Sequence, residues 1–167
     1  LIKNAYFNLD GSGSILGQWL QLDCEKFLKA NEELIPTGEV VPVKGTSFDF
    51  TTEKTVGQDI KKLITEDSDD ANRKLTAEDS PFGYDHCFVT KADETSLVRF
   101  GSFRSEKSGI KMEMFTNQRG VHVYSGNFMA GSKGKNNVIH KRHDGICFET
   151  DYKGGVGFPK SLSRTMT

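Results

Sequence analysis

The apolar residues of this chain fall in short runs, several of them alternating with polar positions, and turn-forming clusters separate one run from the next. Alternation with a period of two marks a strand that buries one face. Trp19-Leu20-Gln21-Leu22 reads this way, after a turn at Asp10-Gly11-Ser12-Gly13-Ser14 that closes the opening run from Tyr6 to Leu9. In Val121-His122-Val123-Tyr124 the two valines point to one side and His122 and Tyr124 to the other. Further strands are predicted at Cys87–Val89, Ser96–Phe100, Ile110–Phe115 and Ile146–Thr150. Cys24 to Leu28 fits either a short helical turn or an extended edge. Ile35 to Glu39 reads as a turn on Pro36 and Gly38, and Val40 to Val43 as a strand that Pro42 confines to an edge. Helical periodicity is weak and confined to Val56–Ile64, and the charge-dense stretch Glu66–Asp79 predicts a solvated excursion. These elements predict an all-β fold, an antiparallel sandwich or barrel, in a single domain over residues 1–167.

Composition narrows the partners. A net charge of -1 and a pI near 6.5 give no electrostatic reason to expect nucleic acid or an anionic membrane surface. No apolar run is long enough to cross a bilayer as a helix, so a soluble protein is expected. The three cysteines, Cys24, Cys87 and Cys147, are widely spaced and form no CxxC pair, which argues against a disulfide framework and a zinc knuckle. A reducing, cytoplasmic location follows as the expectation. The first residue is Leu and the chain opens at once into strand-like text, a pattern expected of an excerpt or of a processed terminus.

Candidate chemistry begins with Ile146-Cys147-Phe148-Glu149-Thr150. In a strand, Cys147 and Glu149 share one face, and Ile146, Phe148 and Thr150 share the other. A carboxylate beside a buried-type cysteine belongs either to a solvated face or to a site. Asp85, in Gly83-Tyr84-Asp85-His86, is either a turn residue or a rim carboxylate that accepts hydrogen bonds from ligand hydroxyls. Asp85 and Glu149 together would suit acid/base work or a grip on a sugar, provided the fold brings them together. His140, His143 and Asp144 have loosely metal-like spacing, but they lie in a polar, lysine-rich stretch from Lys133 that reads as a mobile surface loop, and no metal site is predicted. Gly131-Ser132-Lys133-Gly134-Lys135 lacks the spacing of a phosphate loop. There is no nucleophile elbow, dinucleotide fingerprint or HExxH.

Six short segments, in order, resemble the aldose 1-epimerases, or galactose mutarotases: Tyr6-Phe7-Asn8-Leu9, Leu34 to Glu39, Gly45-Thr46-Ser47-Phe48-Asp49-Phe50, Gly83-Tyr84-Asp85-His86, Tyr124-Ser125-Gly126-Asn127-Phe128 and Phe148-Glu149-Thr150. The resemblance runs from Tyr6 to about Thr150 and covers roughly the C-terminal half of that family's domain. It implies a large antiparallel β-sandwich of the galactose mutarotase type, present here in part, acting on a small aldose sugar without metal or nucleotide cofactor. It further implies that Glu149 is the base and that Asp85 binds sugar hydroxyls. The implied reaction interconverts α and β anomers of aldohexoses such as galactose or glucose by opening and reclosing the ring.

Two positions depart from the family pattern. The histidine acid expected two residues before the Tyr-Phe-Asn-Leu run is Asn4 here, which can bind a sugar but has no proton to release near neutral pH. A sugar-binding glutamine is replaced by His122, the candidate substitute acid and a substrate-binding position. Asn4 therefore keeps open the alternative of a catalytically impaired, mutarotase-like sugar-binding protein. Half of such a sandwich would leave sheet edges available for association with another chain.

Overall fold

In a computed structural model, which describes residues 5–30, 36–63 and 83–151, the alternating segments form ten strands among the described residues. They are β1 (Tyr6–Phe7), β2 (Trp19–Leu22), β3 (Lys26–Ala30), β4 (Pro36–Pro42), β5 (Lys54–Thr55), β6 (Asp85–Val89), β7 (Val98–Arg104), β8 (Lys111–Thr116), β9 (Gly120–Tyr124) and β10 (Ile146–Asp151). One sheet has six strands in the order β1-β10-β9-β6-β3-β4, and the other has four in the order β5-β2-β7-β8. Every pairing in both is antiparallel. The expected antiparallel sandwich is therefore what the chain forms.

The two sheets share one apolar layer. Phe27, Phe88, Val121, Val123 and Ile146 enter it from the larger sheet, and Leu20, Leu22, Phe103 and Met114 from the smaller. Phe103 of β7 meets Phe148 of β10 edge to face, with ring centroids 5.9 Å apart. Each such side chain contributes roughly 1.5–3 kcal/mol by leaving water, so alternation along the strands directly sets which face is buried. On the far side of the smaller sheet, Trp19 lies under the Arg104 guanidinium at 4.8 Å, and Arg104 in turn donates twice to Glu53, each at 2.9 Å.

Several expectations are corrected. Cys24 to Leu28 is not an edge: β3 runs from Lys26 inside the sheet between β6 and β4, and Phe27 and Leu28 are both buried. A strand covered on both faces loses the alternation that would have revealed it. Pro36 to Glu39 already belongs to β4 rather than to a turn, and Leu34 and Ile35 lie outside the described residues. The edge position inferred from Pro42 holds. Over the described part of the weakly helical Val56–Ile64, a 3-10 turn forms at Ile60–Lys62, and the amides of Val56 and Gly57 donate to the carbonyls of Gln18 and Leu16. Glu66–Asp79 lies outside the described residues. Among the described residues no helix is long and apolar enough to cross a membrane.

Polar clasps join the ends of β1, β10, β9 and β6. Asn8, just after β1, donates to the carbonyls of Gly13 (2.6 Å) and Asp144 (2.9 Å) and accepts from Gln18 (2.8 Å), which ties β1 to the approach of β10. The Ser125 hydroxyl, just after β9, accepts from the Tyr84 amide at 2.9 Å and contacts Asn127 Oδ1 at 2.7 Å, so β9 and β6 leave the sheet together. Tyr84 donates to the Ser47 carbonyl at 3.0 Å, and Phe48 stacks on Phe27 at 4.2 Å. Asn8, Ser47, Phe48, Tyr84, Ser125 and Asn127 of the resembling segments are thus scaffold.

Candidate active site

Cross-strand register collects the candidate side chains. Glu149 on β10 lies opposite His122 on β9, and His122 lies opposite Cys87 on β6. The adjacent row on the same face runs Tyr6, Cys147, Tyr124, Asp85. Directly opposed side chains have Cβ atoms about 5 Å apart, and diagonal neighbours are within reach of long side chains. These residues therefore form a polar patch on the face of the larger sheet that does not meet the smaller one. The intervening positions, Ile146, Phe148, Val121, Val123 and Phe88, point into the shared core and hold the strands in place.

Within the patch the diagonal is occupied. His122 Nε2 lies 2.6 Å from Asp85 Oδ1, and both side chains are about a quarter to a third exposed, at 32% and 22%. An ionised carboxylate only accepts, so Nε2 carries the hydrogen of this bond. That leaves Nδ1 of His122 and Oδ2 of Asp85 outside the contact. Glu149 accepts from the buried thiol of Cys147, with Sγ 3.5 Å from Oε1. Burial, reinforced by Glu149, pushes the Cys147 thiol up to about 12, so it remains protonated at neutral pH. Burial also raises the Tyr6 phenol, with further contributions from Tyr124, Cys147, Glu149 and Asp85. Burial likewise raises the Tyr124 phenol, whose oxygen accepts the Phe128 amide at 2.8 Å. The rings of Tyr6 and Tyr124 meet edge to face at 6.1 Å. The patch thus offers two carboxylates, an imidazole and two neutral phenols. Among the described residues no group of three or more His, Cys, Asp and Glu side chains is arranged to hold a metal ion.

Of the residues singled out from the sequence, Glu149, His122 and Asp85 come together on one face, and Asn4 lies outside the described residues. His140, His143 and Asp144 are not among any group arranged to hold a metal ion in the described residues. The surface loop expected there is mostly exposed, but it contains a bridge between Lys133 and Ile139, and His143 is buried, with Nδ1 2.8 Å from the Ser125 carbonyl. Sequence reasoning missed Tyr6 as a neighbour of the site. Alternation places Cys147 on the face of Glu149, but the position of Tyr6 depends on pairing between segments 140 residues apart.

A family model described as aldose 1-epimerase matches residues 4–153. The chain belongs to the aldose 1-epimerase family. It is 33% identical to galactose mutarotase from Pongo abelii over 153 residues, which are 90% of this chain and 40% of that protein. It is 33% identical to galactose mutarotase from Mus musculus, covering 98% of this chain and 45% of that protein, and 27% identical to aldose 1-epimerase from Escherichia coli, covering 91% and 41%. Among solved structures, an aldose epimerase homologue from C. elegans superposes with a TM-score of 0.69 at 27% identity, over 89% of this chain and 40% of that one. Galactose 1-epimerase from Lactobacillus acidophilus superposes with a TM-score of 0.61 at 27% identity, over 89% and 39%. The chain thus spans about two-fifths of the length of these aldose 1-epimerase relatives, consistent with part of the family domain.

Proposed function

We propose that this chain carries the acid/base half of an aldose 1-epimerase site and interconverts the α and β anomers of an aldohexose such as galactose or glucose. The observation that supports this most is the co-facial placement of Glu149, His122 and Asp85 on three adjacent strands. Glu149 takes the proton of the anomeric hydroxyl. The freed electron pair forms the C1 carbonyl as the bond from C1 to the ring oxygen breaks, and the ring oxygen takes a proton from His122. Rotation about the C1–C2 bond and reclosure with the two roles reversed gives the other anomer. His122 suits the acid role when protonated, because Asp85 holds Nε2 and Nδ1 then carries the proton to be given. Asp85 keeps Oδ2 for a sugar hydroxyl. This chemistry asks for no metal and no nucleotide.

Polarimetry of freshly dissolved α-glucose and α-galactose tests the proposal. Mutarotation above the buffer blank is expected, with Glu149→Gln lowering it by about 10²-fold or more. A rate equal to the blank, unaffected by Glu149→Gln, would remove the catalytic claim. The second reading, sugar binding without turnover, is favoured by Asn4, which stands where the resemblance expects the acid histidine. Calorimetric binding of galactose with no acceleration would select it, and a gain of activity in Asn4→His would locate the deficit.

A further inference from the structure

Cys147 sits two residues before Glu149 on β10, on the same face, fully buried between Tyr6 and Tyr124, its partners on the flanking strands. The 3.5 Å from Sγ to Oε1 is long for an oxygen donor but ordinary for a thiol, whose sulfur is larger. Inert filling would not need a donor: an apolar residue could occupy the space equally well. A glutamate side chain has three rotatable bonds, and fixing it costs rotamer freedom. An anchor within its own strand lowers that cost and selects one orientation. The geometry points to Cys147 as a positioning residue for the base: its thiol donates to Glu149 Oε1, holds the carboxylate over the patch and leaves Oε2 as the oxygen that receives the substrate proton. This rests on Glu149 being the base. The thiol itself takes no part in proton transfer, and no bond to sulfur forms or breaks.

Two measurements on the full chain separate this inference from the reading beneath it. Infrared spectroscopy of the S–H stretch needs no turnover. The band of Cys147, assigned by its loss in Cys147→Ala, is expected to move to higher wavenumber in Glu149→Ala as the bond to the carboxylate is lost. An unmoved band would overturn the inference whatever the activity. In the mutarotation assay, Cys147→Ala is expected to lower kcat about ten- to a hundredfold, because a catalytic group displaced by a fraction of an ångström loses alignment. KM is expected to change by less than about twofold, since the interaction lost concerns the transition state rather than ground-state binding. Cys147→Ser, which also loses the sulfur but keeps a donor, is expected to recover most of the rate. Equal rates for the alanine and serine variants would reduce Cys147 to packing. Activity that survives Glu149→Gln would instead discard Glu149 as the base, leaving the spectral result to decide whether the bond exists.

Discussion

Gly126 holds φ at 71° where the chain leaves β9, and a Cβ there would lie 2.5 Å from the Gly145 carbonyl oxygen. An L side chain pays about 1–2 kcal/mol for that backbone conformation, and the overlap adds to it. Gly126→Ala is therefore expected to lower stability by at least about 2 kcal/mol, read as a fall in the urea midpoint at constant slope. A loss below about 0.5 kcal/mol would show that the turn rearranges freely, as an ordinary surface position would. His143 packs against the same turn: its amide donates to the Gly126 carbonyl, and its ring reaches the Ser125 carbonyl. Burial, aided by Arg142, holds its pKa below the ordinary 6.5. The unfolded chain therefore binds that proton first as pH falls. The stabilisation from neutral His143 is complete above about 6.5 and declines as pH drops below it. Unfolding midpoints between pH 7.5 and 5 should fall more steeply for the unsubstituted protein than for His143→Gln, and parallel curves would contradict the assignment.

β10 shows how much a strand's own letters reveal. Ile146, Phe148 and Glu149 take the faces that alternation assigns them, as do His122 and Tyr124 on β9. What alternation could not supply is register. That Asp85 falls diagonal to His122, and Tyr6 beside Cys147, follows from which strands pair and how far each is slid, and those choices are made by contacts distant in sequence. β3 was hidden for the opposite reason, since Phe27 and Leu28 point to opposite faces and are both covered, so Lys26-Phe27-Leu28-Lys29 shows no alternation. His143 was hidden because its neighbours Lys141, Arg142 and Asp144 are polar, while its own side chain turns inward. The inward face of β10 also anchors the outward one. Ile146→Ala should cost about 2–5 kcal/mol, measured by chemical denaturation, because the site is fully buried and leaves a cavity. A loss near zero would mean that the two sheets close over the gap.

Because both sheets draw on one apolar layer, they are expected to unfold together. Trp19, the sole tryptophan, belongs to the smaller sheet, whereas most of the strand signal in circular dichroism comes from the larger. Their denaturation curves should coincide, and separated transitions would show two independent units. A second acid-sensitive window should lie well below that of His143. Hydrogen bonds from Arg104 hold the Glu53 carboxyl below its usual range, and those from Lys54 and Lys62 do the same for Asp59. Their stabilisation is present above the ordinary carboxylate values and is lost as pH falls through the lowered ones. Finally, β1 is hydrogen-bonded to β10, although nearly the whole chain separates them. A ribosome that has not yet released β10 holds a chain with Asp85 and His122 but no Glu149 opposite them. Contacts of such long range also form late and slowly. The sugar binding proposed above therefore cannot guide early collapse, and it would report instead on the completion of the sheet. In a refolding experiment, protection conferred by galactose should appear only in the last kinetic phase.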